Sequence, residues 1–228
     1  MAESIHQGHR KRMRERFLKT GLIGYQPHEL LEILLYYGIP RVDTNPVAHA
    51  LLECFGSLRG VFSAEPDQLK QVQGMTEPAV CLITLLRAMY VYDAEEQLDG
   101  VPMESFAKIC EYFSALYRFE QREVVRAAFL DRNLRLIACE VLGEGHPSAS
   151  EFSVRRLIER AGAAGSSVAV LAHNHPHGNA VPSDADIAVT RQLAEMLAKS
   201  GISLADHVIV GDGEAVSLRE YGVFMGLD

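Results

Sequence analysis

The chain has 228 residues, 48% of them hydrophobic and 23% charged, and its 22 basic and 30 acidic side chains leave a formal net charge of −8. This is the composition of a globular protein of one or two domains, and it excludes both disorder over most of the length and a whole-molecule basic footprint for nucleic acid. No apolar run approaches the ~18 residues of a membrane-spanning helix, and no apolar stretch follows the polar, basic segment Met1 to Arg16 as it would in a secretory signal. The expectation is a cytoplasmic protein with no membrane partner.

The first hundred residues read as helices. Ile5 to Lys19 forms a basic one, whose run His9-Arg10-Lys11-Arg12-Met13-Arg14-Glu15-Arg16 reads as a solvated face, with a phosphate-contacting arm as the alternative. Gln26-Pro27-His28-Glu29 opens a second, with Leu30, Leu31, Ile33, Leu34 and Leu35 as its apolar residues, and Gly38-Ile39-Pro40 stops it. Thr44 or Asn45 followed by Pro46 starts a third, which ends at Gly56. Short helices near 57–62 and 66–72 precede a longer one from about Glu77 to Glu95. The pattern breaks at Asp99-Gly100-Val101-Pro102, read as a linker. The division is therefore a helical domain over 1–98 and a second domain over 102–228.

Cys54, Cys81, Cys110 and Cys139 stand 27–29 residues apart with no Cys-x-x-Cys pair, which argues against a thiolate zinc ribbon. Each has apolar neighbours and is expected to pack, reduced, as a small hydrophobe.

The second half mixes strands and helices. A helix near 103–117 leads to a strand over Val124–Leu130, a turn at Asp131-Arg132-Asn133 and a return strand over Leu134–Leu142. Ser153 to Ala161 reads as helix. The almost wholly apolar Ser167-Val168-Ala169-Val170-Leu171-Ala172-His173 reads as a buried central strand. A helix over Asp184–Lys199 and strands over Leu204–Val210 and Ala215–Leu218 complete an α/β or α+β fold with a mixed sheet.

The chemistry lies in His173-x-His175-x7-Ser183-x-x-Asp186. On a strand, side chains two apart share a face, so the two imidazoles converge on one point. A loop of about ten residues then returns the chain, and Asp186 in the first turn of the next helix adds a carboxylate. Two nitrogens and one oxygen suit a zinc ion with an open fourth position, where a water becomes a nucleophile near neutral pH. Ser183-x-x-Asp186 is also an ordinary helix-capping box. Three candidate ligands meeting at a strand–loop–helix junction favour the metal site.

This string resembles the JAMM (MPN-type) metalloprotease signature. Leu171-Ala172-His173-Asn174-His175-Pro176, Pro182-Ser183-Asp184-Ala185-Asp186 and Asp206-His207-Val208-Ile209-Val210-Gly211 resemble the bacterial RadC family over about residues 104–222, and the helical half is similar to that family's N-terminal region. The resemblance implies a JAMM/MPN mixed sheet flanked by helices and hydrolysis of a peptide or isopeptide bond in a protein substrate. It makes His173, His175 and Asp186 the ligands of one zinc ion and gives Ser183 a hydrogen bond to the developing oxyanion or to the water. A carboxylate base is also required. Glu123 stands at the family's position for it, with Glu140 and Glu144 as rivals. His177 departs from the family, which usually has Ser there; it reads as a tolerated loop change, with an extra ligand or proton shuttle as the alternative. Asp206-His207 reads as a structural hydrogen-bonding pair at a strand start, with His207 as a partner of the zinc ligands as the alternative, and neither is counted among the site residues.

Leu69 to Ala79 resembles a helix-hairpin-helix, a module whose helix start binds DNA phosphate. Thr76 replaces its second glycine, Glu77 places a negative charge where phosphate would approach, and the turn is poor in Lys and Arg. It therefore reads as a degenerate, helix-packing hairpin. The family's historical DNA-repair label keeps DNA binding through the helical domain as the alternative function, and a metal-free scaffold as a third.

Overall fold

The computed structural model describes residues 2–98, 102–144, 154–176 and 178–225. The chain divides into two compact units, Met1–Tyr90 and Val91–Asp228. Most of the expected linker at 99–102, and His177, lie outside the described residues.

The first unit is helical: α1 (Ala2–Thr20), α2 (Pro27–Gly38), α3 (Asn45–Phe55), α4 (Leu58–Ser63), α5 (Pro66–Gln71) and the beginning of α6 (Glu77–Leu98). Pro27 and a Gln26/Glu29 capping box start α2, and Gly56, at φ 76°, ends α3 in the left-handed region that glycine favours. Leu31 and Leu35 of α2 pack on Ala48 and Leu51 of α3, with Leu69 and Ile83 closing the core.

Lys11, Arg12, Glu15 and Arg16 of the basic stretch are exposed, as a solvated face requires, but two of its cations also bond inward. Arg10 bonds the carbonyls of Ile39 and Val42 and lies over the Tyr36 ring, while Arg16 bonds the Gly24 carbonyl and Glu29 and lies over Tyr25. These cations fasten α1 onto its own unit. Beneath them Glu32, which drew no notice in the sequence, is buried. Its carboxylate meets His9 Nε2 at 3.0 Å and accepts bonds from the Tyr36 hydroxyl at 2.7 Å and the Asn45 amide at 3.1 Å. At the hairpin-like turn, the Thr76 hydroxyl accepts the Ala79 N–H and donates to the Gly38 carbonyl. A donor that a phosphate would take is thus bonded internally.

The expected burial of every cysteine is corrected here. Cys54 and Cys81 are exposed, and only Cys110 and Cys139 are half-buried. Ala79, Val80 and Ile83 take the core-facing side of α6 and leave Cys81 outside, and Cys54 falls on the last turn of α3, beyond the core residue Leu51.

The second unit contains α7 (Phe106–Leu116), β1 (Val124–Leu130), β2 (Leu136–Glu144), α8 (Val154–Ala164), β3 (Val168–His175), α9 (Asp184–Ala198), β4 (Ser203–Gly211) and β5 (Glu214–Ser217). The sheet order is β2-β1-β3-β4-β5, antiparallel except between β3 and β4. Alternation along each strand sorts the side chains into two cores. Val125, Ala127, Phe129, Leu171 and Ile209 face α8 and α9, packing on Leu157, Ala161, Leu193 and Leu197. Val124, Ala128, Val170, Ala172 and Val208 face α7, packing on Ile109, Tyr112 and Phe113. The architecture is mixed α/β, helices first and a helix-flanked sheet after. β3 runs two residues further than its apolar stretch suggests, because parallel pairing with β4 continues through His175 and Gly211. Both histidines therefore stand on the strand.

Candidate metal centre

His173 and His175 share the α8–α9 face of β3 with Leu171, at the strand's C-terminal end. The loop after β3 returns to Ser183, which caps α9, and Asp186 is three residues into that helix's first turn. Ligand atoms of His173, His175 and Asp186 all lie within 4.8 Å of one another, and no other His, Cys, Asp or Glu among the described residues joins them. His173 Nε2 is 3.0 Å from His175 Nε2 and 3.4 Å from Asp186 Oδ1.

The surrounding hydrogen bonds fix the proton on each ring. The Thr190 hydroxyl donates its single proton to the Asp186 carbonyl at 2.6 Å. Towards His207 Nδ1, also at 2.6 Å, it must then accept, so Nδ1 carries the His207 proton. Burial pushes the His207 pKa down to about 3, with the neighbouring His173 acting in the same direction, so the ring is neutral and its Nε2 is bare. That bare nitrogen takes a proton from His173 Nδ1 at 2.9 Å. His175 Nδ1 likewise donates to the Asn179 carbonyl at 2.9 Å. With each Nδ1 engaged outward, the two rings turn their Nε2 atoms towards one another, 3.0 Å apart, beside a carboxylate oxygen.

Such an arrangement calls for a cation. Ligands about 2.0–2.1 Å from a tetrahedral zinc stand about 3.3 Å apart, close to the 3.0 and 3.4 Å separations found here. The donor set of two imidazoles and one carboxylate fits zinc with a position open to water. Burial raises the Asp186 carboxyl, but the Ser183 hydroxyl, the neighbouring His173 and the Ser183 N–H together outweigh it and hold the group below its ordinary range, ready as an anion. Ser183 occupies Oδ2 through both its N–H and its hydroxyl, at 2.8 and 2.6 Å, which leaves Oδ1 to face His173. One capping box therefore both starts the helix and aims the ligand.

Of the two readings of His207, the structure favours the alternative: its ring bonds His173, a candidate ligand, rather than Asp206. Asp206 instead accepts the His207 and Arg219 N–H groups and the Ser217 hydroxyl, tying β4 to the segment after β5. Thr190 escaped notice entirely. A Thr four residues after the capping-box Asp is the one signal that pointed to it.

The three carboxylates considered as bases are placed differently. Val125 pairs with His173, and continuing that antiparallel register by two residues sets Glu123 abreast of His175, on the same face by alternation. Glu140 shares that face but pairs with Ala127, which itself pairs with Leu171, further down the sheet, and it forms an ion pair with Arg160 at 3.0 Å. A register shift between Val125 and Arg126 brings Glu144 opposite Val124 instead, on the α7 face, where Arg122 holds it at 2.8 Å.

A mixed sheet with a His-x-His pair ending its central strand and a helix-capping Asp beside it defines a JAB-type domain. Residues 103–223 match the profile of the RadC-like JAB domain and residues 6–81 that of the UPF0758 N-terminal domain. A curated relative, a UPF0758 protein of Rhodobacter capsulatus, is 34% identical over 212 residues, covering 92% of this chain and 99% of its own. The chain belongs to the RadC-like JAB family.

Proposed function

We propose that the protein is a zinc-dependent hydrolase of peptide or isopeptide bonds, with His173, His175 and Asp186 holding one ion. The observation that carries this reading is the convergence of two imidazole Nε2 atoms, 3.0 Å apart, with a carboxylate oxygen on one point. When bound, zinc supplies a Lewis acid for the scissile carbonyl and an acidified water. The remaining steps belong to the chain. Glu123 takes the proton of the attacking water and delivers it to the leaving amine, since without that proton the amine is a poor leaving group. The Ser183 hydroxyl, 2.6 Å from Asp186 Oδ2, turns its proton towards the oxyanion that develops at the carbonyl. His207 keeps the His173 lone pair on the metal side. Val125, Leu171 and Val189 line the inner side of the cleft beside His173 and Asp186, an apolar backing that strengthens these charge interactions.

The test is hydrolysis of a peptide library and of lysine-isopeptide-linked probes by zinc-loaded protein. Glu123→Gln should retain zinc and lose turnover by about 10²–10⁴-fold. Full turnover in that variant would reassign the base, and no cleavage by the wild-type protein with zinc bound would remove the hydrolase reading.

A further inference from the structure

The residue between the two histidines is buried although it is polar and points to the opposite face of β3. A buried amide must be hydrogen-bonded or cost stability. Asn174 meets this demand on both sides of Glu123. Its Oδ1 accepts the Val124 N–H at 2.8 Å, and its Nδ2 donates to the Arg122 carbonyl at 2.9 Å.

We propose that Asn174 is a positioning residue that fixes Glu123 beside the His173–His175 pair; this rests on the reading of Glu123 as the base. Regular pairing of β1 with β3 ends at Val125 and His173. Among the described residues, 120–123 precede the first strand residue and continue no rung to β3, while Val124 keeps its pairing with Glu144 on the β2 side. A chain end without ladder bonds frays and takes its side chains with it. The Asn174 amide replaces the missing rung. It offers one acceptor and one donor in the arrangement of a peptide edge, and it grips residues 122 and 124, which share a parity and flank Glu123. Alternation does the rest: with 122 and 124 held towards the α7 face, Glu123 is turned to the face of the histidines. The same residue thus sits between the two candidate ligands in sequence and holds the candidate base through the backbone, so strand β3 sets the relative position of both. Asp in this place lacks the N–H donor, Ser is too short to span both groups, and Leu offers neither bond.

The test uses the full chain, with wild type, Asn174→Ala, Asn174→Asp, Glu123→Gln and the double variant Asn174→Ala/Glu123→Gln. Two readouts are taken: amide exchange at Val124 in metal-free protein, and binding of acetohydroxamate to zinc-loaded protein. The hydroxamate passes its ionisable N–OH proton to a neighbouring carboxylate, so it senses where Glu123 stands. Asn174→Ala should speed exchange at Val124 by roughly tenfold or more while Leu171, in mid-strand, is unchanged. It should weaken the hydroxamate by about as much as Glu123→Gln does, with zinc content unaltered, and the double variant should bind no worse than Glu123→Gln alone. Asn174→Asp, which keeps the acceptor for Val124, should recover part of both effects and covers the case in which the alanine variant does not fold. Additive losses in the double variant, or wild-type hydroxamate binding in Asn174→Ala, would overturn the proposal. Wild-type protein that takes up no zinc refutes the metal reading instead; unchanged exchange at Val124 would then by itself overturn the clamp.

Discussion

His207 stands directly behind His173, its bare Nε2 2.9 Å from Nδ1 of that ring and accepting its N–H, and both side chains are buried. Through Thr190 the same ring is linked to the Asp186 backbone. A single chain of hydrogen bonds therefore joins an imidazole ligand on the sheet to the helix that carries the carboxylate ligand. Removing His207 frees the His173 tautomer, and partners of this kind typically change metal affinity by about 10–100-fold. His207→Ala should weaken zinc by that factor in a chelator competition and leave the helical content of the protein unchanged. Thr190→Val should show a smaller loss in the same direction.

Gly211 makes a second prediction about the site. A Cβ at this position would press on the Gly178 carbonyl and on the backbone of Asn179 and Ala180. That loop supplies the carbonyl that orients His175. Gly211→Ala should displace the loop, release His175 Nδ1 and lower zinc affinity, although residue 211 touches no candidate ligand atom. Unchanged affinity in a competition titration would detach the loop from ligand orientation.

How far the site was legible from sequence depends on distance along the chain. His173, His175, Ser183 and Asp186 fall within one strand, one loop and one helical turn, where period-two alternation and a capping box dictate their neighbours. The Val124–Leu130 strand, at the start of which Glu123 stands, showed in its run of apolar residues. His207 showed only as an alternative and Thr190 not at all, because His207 reaches His173 from 34 residues away and Thr190 reaches His207 from 17, contacts made only when β4 and α9 pack on β3. Glu32 was lost among the leucines of α2, since nothing local shows that a charge there is buried and matched by residues 4, 13 and 23 positions distant.

That carboxylate is the basis of a prediction about the helical unit. Glu32→Ala removes the common partner of His9, Tyr36 and Asn45 and leaves the buried Tyr36 hydroxyl without its acceptor. The cost should be on the order of 1–3 kcal/mol. It should appear as a lower denaturation midpoint and as faster amide exchange along α2 and α3. Glu32→Gln, which keeps the acceptor, should lose less.

The thiols divide into two pairs. Cys54 and Cys81 are exposed. Burial, aided by Asp206 and Glu220, pushes the Cys110 thiol up to about 11, and burial likewise raises Cys139. Since the thiolate is the reactive form, the latter two are held inert at neutral pH. Ellman's reagent at neutral pH should therefore modify two thiols rapidly in folded protein and all four in denaturant. Rapid reaction of four in the folded state would contradict this placement.

The zinc K-edge absorption spectrum of protein loaded with one equivalent of the metal is the most direct measurement. It should show one tightly held ion with two imidazole nitrogens and oxygen neighbours at about 2.0–2.1 Å and no sulfur, and both the binding and the imidazole scattering should be lost in His173→Ala and His175→Ala. Failure to retain zinc, or a spectrum unchanged by those substitutions, would contradict the account.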